Sequence, residues 1–243
     1  ESARILLNSG VGNSSGLVGK YLMDTVGAHL SGQIPALENL PAANEDGNTG
    51  LHLYMPWWKY QEQFAGQMDF ARGYHSETGG GRRMPSAWTF GGLPEITGGA
   101  WGKKLKEEAR RYYGSYVHFA GRGEMIPNSD SYCDIDPELK DDFGIPALRF
   151  HWKWSEHELN QAAHMHRTFK ELVESMGGHV TTQYHGEDGS TAIKKPGEII
   201  HEVGTTCMGT KPDNSVLNQY CQSWDVSNLF VTDGGCFASL ADQ

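Results

Sequence analysis

Apolar side chains recur at Leu159, Ala162, Ala163, Phe169, Leu172, Val173 and Met176, intervals of three, four and seven that line one face of a helix. Ser155 and Glu158 precede the stripe as an S-x-x-E capping box, and Gly177-Gly178 closes it, so the pattern predicts a helix from Ser155 to Met176. A shorter helix is predicted over Trp101 to Tyr113. Elsewhere the pattern changes to partial alternation of aromatic and branched residues with polar ones. Leu51 to Trp58, Ser115 to Ala120 and Leu148 to Trp154 read in this way as strands of an antiparallel sheet with one wet face. The opening E-S-A-R-I-L-L suits a helix end or a buried strand, and Gly/Ser-rich sequence follows it as a loop. Asn228 to Thr232 reads as a buried strand ending in Asp233-Gly234-Gly235.

These patterns fall into three regions: 1–32, an aromatic-rich middle at 33–195 that holds six of the seven tryptophans, and a turn-rich tail at 196–243. The fold class they predict is mixed α+β or α/β. With 243 residues, 38% of them apolar, the chain can form a core. A net charge of -10, with no Lys/Arg-rich run, argues against a nucleic-acid partner. No apolar run has the roughly 18 residues of a transmembrane segment, so a periplasmic or cytoplasmic place is expected over a membrane-embedded one. Cys133, Cys207, Cys221 and Cys236 lie too far apart for a zinc ribbon or a C-x-x-C redox site, and read as free thiols or packing residues.

Several short motifs invite a function. G-V-G-N-S-S resembles a dinucleotide fingerprint, but Ser15 replaces its third glycine. Gly12 to Gly16 also matches G-x-S-x-G, which would make Ser14 the nucleophile of a serine hydrolase if a strand preceded it and a helix followed. H-E-L-N-Q at His157 has Gln161 where a zinc protease needs its second histidine. His157 and His164 stand two helical turns apart, about 10 Å, too far to share an ion, and both are expected on the helix surface; no metal site is expected. Gly79-Gly80-Gly81 before Arg82-Arg83 reads as a flexible loop or an anion-binding turn.

The tail combines His201, Gly204-Thr205, Met208-Gly209, Asn214-Ser215-Val216, Asn228-Leu229-Phe230-Val231 and Asp233-Gly234 in one order. That order resembles the carboxy-terminal signature of the glucose-methanol-choline (GMC) oxidoreductases. E-S-A-R-I-L-L-N-S and G-L-V-G-K-Y-L-M-D resemble the family's passage from FAD domain to substrate domain. A-R-G-Y-H-S-E-T-G-G-G and G-I-P-A-L-R-F-H-W-K-W-S are most similar to the gluconate 2-dehydrogenase large-subunit and glucoside 3-dehydrogenase branch.

The resemblance implies a two-domain fold. Part of a Rossmann-like FAD-binding domain would come from 1–32 and 196–243, and a substrate domain with an antiparallel sheet flanked by helices from 33–195. It implies a piece of a longer enzyme, since the family's diphosphate-binding G-x-G-x-x-G has no counterpart here and the Asn that pairs with the catalytic His would follow Gln243. The implied reaction oxidises a CH-OH group of a sugar, glycoside or sugar acid by hydride transfer to FAD, with His201 as base. Asp233, Gly234 and Gly235 would lie along the cofactor, and Trp57, Trp58, His75, His151 and Trp152 are the substrate candidates. Quinone, a cytochrome subunit or oxygen would take the electrons. Cys207 replaces the arginine frequent in the family's G-T-x-R-M-G, removing a fixed cation. Each candidate also has a plain reading: His201 as a packed histidine beside a turn, Asp233 as a turn-former, and the aromatic residues as core. The other functional readings are a non-catalytic carbohydrate-binding β-rich domain and a serine hydrolase using Ser14.

Overall fold

A computed structural model describes residues 1–40, 53–80, 97–186 and 188–240. In chain order its elements are α1 (Ser2–Ser9), β1 (Val26–Gln33), β2 (Leu53–Met55), α2 (Tyr60–Phe64), β3 (Tyr74–Gly80), α3 (Gly102–Tyr112), β4 (Tyr116–Gly123), β5 (Tyr132–Lys140), β6 (Pro146–His151), α4 (Glu156–Ser175), β7 (His179–Val180) and α5 (Gly189–Ala192). They divide into two compact units. Unit 1 comprises Glu1–Val26, Glu124–Glu158 and Lys195–Asp242; unit 2 comprises Gly27–Gly123 and Leu159–Lys194. The division runs close to the ends of the predicted middle region, except that 124–158 groups with the two ends of the chain.

In unit 1, the opening residues form a helix rather than a strand. Ala3 and Leu6, one turn apart on α1, enter a core with Val18, Cys133, Val216, Leu217, Val231 and Cys236. Gly10 ends the helix in the left-handed conformation, its N-H bonded to the Leu6 carbonyl. Arg4 ties α1 to the β5–β6 turn, its Nη2 donating to Asp141 Oδ2 at 2.7 Å and its Nε to the Pro146 carbonyl at 2.9 Å. Strands β5 and β6 form an antiparallel pair of their own, with Asp134 opposite Arg149. The predicted strand Leu148 to Trp154 therefore pairs here and not in the larger sheet. The predicted strand Asn228 to Thr232 is no ladder strand; a single bridge joins Gln222 to Phe230. Its burial alternates, with Leu229 half-buried, Val231 buried and Phe230 54% exposed, but no neighbouring strand among the described residues pairs with it as a ladder.

Unit 2 contains a five-stranded sheet in the order β2-β3-β4-β1-β7. Strands β2, β3 and β4 pair antiparallel in turn, as do β1 and β7. The body of α4 packs on this sheet. The Phe169 ring stacks on Phe119 at 5.4 Å, and Gly121 and Gly123 on β4 admit Met165 and Gln161. A Cβ on Gly123 would stand 1.9 Å from Gln161 Oε1, so only glycine allows the helix this close. The predicted stripe is too narrow, because Gln161 to His166 are all buried. His164, expected at the surface, is 9% exposed, and its Nδ1 shares a 2.8 Å hydrogen bond with the Tyr74 hydroxyl. His157 is exposed as expected. Gly79 and Gly80 lie in β3; Gly81, Arg82, Arg83 and the first two residues of the Leu51 run lie outside the described residues.

Candidate functional site

Unit 1 carries a partly open cavity of about 510 Å³, within the usual range for small-molecule sites. The start of α1 lines one part of it with Glu1, Ser2 and Ala3. Gly204 and Thr205 line another, and Asp233, Gly234 and Gly235 a third, with Trp152, Cys133 and Glu202 among the other lining residues.

Three lengths of backbone build this arrangement. Residues Met23 and Val203 exchange both hydrogen bonds, at 2.9 and 3.0 Å. The Gly204 amide donates to the Gly234 carbonyl at 3.1 Å, and the Thr206 amide to the Gly235 carbonyl at 3.0 Å. Segment 203–206 thus runs between 19–23 on one side and 234–235 on the other. Gly204 has φ +87, and a Cβ there would lie 2.0 Å from the Tyr21 carbonyl oxygen, which explains the glycine of the Gly-Thr pair. Asp233 caps the short turn after it, its Oδ1 accepting from the Gly235 amide at 2.8 Å while Oδ2 accepts the Ser2 hydroxyl. A Cβ on Gly235 would come within 2.5 Å of Thr206 Oγ1, a buried hydroxyl with no hydrogen-bond partner among the described residues.

The adjacent Gly234 and Gly235 leave backbone uncovered on the cavity wall, the start of α1 lines it, and its charged side chains, Glu1, Glu202 and Asp233, are all acidic. Three of the thiols are poor nucleophiles: burial pushes Cys133 and Cys236 up to about 11, and Cys207 upward.

His201 follows a strained residue. Ile200, branched at Cβ, has φ +62, a left-handed conformation costing about 1–3 kcal/mol. The His201 ring is exposed, and its Nδ1 lies 2.6 Å from the Ile199 carbonyl oxygen. A carbonyl only accepts, so Nδ1 bears the proton and Nε2 of the neutral ring keeps its lone pair. His201 does not line the cavity, whereas its neighbour Glu202 does. The His201 amide donates to Asp24 Oδ1 at 3.1 Å. Asp24 closes the segment G-L-V-G-K-Y-L-M-D, but nothing in that segment assigns it a role; a lone acid inside the apolar run L-M-D-T-V is its only chemical signal.

The expected substrate residues are split between the units. Trp152 shares the cavity with Asp233, Gly234 and Gly235. His151 stacks on Tyr132 at 4.1 Å, with Nε2 3.3 Å from Asp134 Oδ2. Trp57, Trp58 and His75 belong to unit 2. Trp57 packs on Tyr74 at 4.8 Å and donates from Nε1 to Gln63 Oε1 at 2.7 Å; Trp58 is 43% exposed. His75 is buried, its Nε2 3.9 Å from Glu77 Oε1. Ser14 has no elbow around it: helix α1 precedes its loop, no helix follows, and its hydroxyl donates to Asp225 Oδ1. Among the described residues, no helix is long and apolar enough to cross a membrane, and no group of His, Cys, Asp or Glu could hold a metal ion.

Residues 127–243 match the family model described as GMC oxidoreductase. The chain is similar to 2-methyl-1,2-propanediol dehydrogenase of Mycolicibacterium austroafricanum, 29% identical over 93% of this chain and 38% of that protein. It is also similar to the fructose dehydrogenase large subunit of Gluconobacter japonicus, 26% identical over 95% of this chain and 38% of that one. A third relative is the gluconate 2-dehydrogenase flavoprotein of Pantoea cypripedii, 28% identical over 60% of this chain and 24% of that one. The chain thus spans well under half the length of these relatives. The family resemblance drawn from the ordered tail is borne out.

Proposed function

We propose that this chain is part of a GMC oxidoreductase that oxidises a CH-OH group of a sugar-like or polyol substrate with the help of FAD. The match of residues 127–243 supports the family, and the relatives' names, which speak of gluconate, fructose and a diol, support the substrate class. The observation that carries the catalytic part of this reading is the tether of His201 Nδ1 to the Ile199 carbonyl.

Removing hydride from an alcohol carbon requires the hydroxyl proton to leave as well. FAD, when bound, supplies the acceptor for that hydride. Nε2 of His201 takes the hydroxyl proton. A fixed Nδ1-H keeps the ring in the tautomer whose lone pair sits on Nε2, and the resulting imidazolium keeps its bond to the Ile199 carbonyl. Asp233, Gly234 and Gly235, with the first amides of α1, would hold part of the cofactor in the cavity of unit 1.

The test is His201→Ala in the complete enzyme, assayed with gluconate, D-fructose and 2-methyl-1,2-propanediol. Turnover of whichever compound the parent oxidises should fall about 100- to 10,000-fold, with visible flavin absorbance retained. Wild-type turnover by the variant would overturn the assignment of His201.

A further inference from the structure

Asp24 is 1% exposed and has no cation within ion-pair distance among the described residues. A buried carboxylate is costly unless its oxygens are hydrogen-bonded, so its partners show what it is there to hold. All three are backbone amides. Oδ1 accepts from Thr25 at 2.8 Å and from His201 at 3.1 Å, and Oδ2 accepts from Gly197 at 3.3 Å. Asp24 is itself fixed by its neighbour Met23, which pairs with Val203 through both amide and carbonyl. One side chain therefore grips the loop 197–201 at both ends.

Ile200, which the backbone would release if it could, lies within that grip at φ +62. A left-handed branched residue persists only where its surroundings over-determine it. Here the surroundings are the two amides bonded to Asp24, and the loop shape they enforce brings the Ile199 carbonyl to 2.6 Å from His201 Nδ1. We infer that Asp24 is a positioning residue for His201: its carboxylate holds residues 197 and 201 in the one loop shape that locks Nδ1 and presents Nε2. The inference rests on the reading of His201 as the base. Asp24 touches no reacting atom.

The experiment compares Asp24→Asn, Ile200→Gly and the double variant in the complete FAD-loaded enzyme, with the same three probe compounds. Asparagine keeps one acceptor oxygen and points an NH2 group at the remaining amide. Asp24→Asn should lower kcat by about 10- to 100-fold, with KM and flavin content within about twofold of the parent, and should shift the limb of the pH-rate profile set by the base. Adding Ile200→Gly, which removes the cost of the left-handed conformation, should restore at least about a third of the lost activity on a logarithmic scale. Unchanged kcat and pH profile in Asp24→Asn would overturn the inference, as would a loss that Ile200→Gly leaves untouched. Amide hydrogen exchange on the unaltered protein gives a test that does not depend on folding of the variants. The His201 and Gly197 amides should be protected despite the exposed His201 ring, and rapid exchange at either would also overturn the inference. The two readings fail separately: full activity in His201→Ala removes the base, whereas an inactive His201→Ala beside a fully active Asp24→Asn removes only the positioning role.

Discussion

Burial gives two histidines of unit 2 a measurable effect on stability. It pushes His164 down to about 4, with Lys59 and Arg167 adding to the shift, and does the same to His29, with Lys194 and His118 contributing. An unfolded histidine takes its proton near 6.5, while these resist until about 4. Between those values the unfolded chain binds more protons, so stability is whole above pH 6.5 and drains as the pH falls toward 4. For His164 the loss is about 1–3 kcal/mol. Urea midpoints measured from pH 7 to pH 4 should fall, and should fall less steeply in His164→Gln. For His164 this burial is invisible in the sequence, since a histidine between two apolar positions on a helix reads as a surface residue until the second packing face is known. Asp24 was equally hidden, because its partners are backbone amides 173 and 177 residues away. His201, Asp233 and Gly234 stood out for the opposite reason: their spacing is confined to an ordered stretch of the tail.

Among the elements, α4 was the most readable and also the most instructive. Only half of its capping box forms: Glu158 accepts from the Ser155 amide, while the Ser155 hydroxyl donates to that same carboxylate. That carboxylate, 1% exposed, accepts from the Ser155 amide at 2.7 Å and from the Ile126 amide at 2.8 Å, so it also fastens a segment the S-x-x-E pattern says nothing about. The body of the helix approaches β4 over two glycines with different tolerances. At Gly121 the obstacle is the flexible Met165 thioether, 2.5 Å from an added Cβ. At Gly123 it is Gln161, whose Nε2 donates to the carbonyls of Arg72 and Gly73 at 2.6 and 3.0 Å and would lose them by moving. Gly123→Ala should therefore cost about 1–3 kcal/mol and more than Gly121→Ala, a ranking that chemical denaturation of the two variants checks directly. The short apolar run at 228–232 could not be read with the same security. Five residues carry too little periodicity to separate a ladder strand from a turn-bound segment with one buried side chain.

At the scale of the whole molecule, the two units are interleaved in sequence. Unit 1 is assembled from three segments and unit 2 from two, and the chain passes between them after residues 26, 123, 158 and 194. A chain ending at Lys194 retains every segment of unit 2 and loses one of the three that make unit 1. Hydrogen exchange on that shortened chain should show protected amides in β3 and β4 together with rapid exchange in α1 and the β5–β6 pair. Protection of α1 at the level of the longer chain would contradict the division. The interleaving also sets a timetable for synthesis. Gly204, Thr205 and the Asp233-Gly234-Gly235 turn, which complete the cavity wall, leave the ribosome only after all of unit 2 has been made. At about 5–20 residues per second, the early segments of unit 1 must wait for many seconds before their partners arrive. During that wait Ala3 and Leu6 of α1 lack Val216, Leu217 and Val231, the core partners that only the tail supplies.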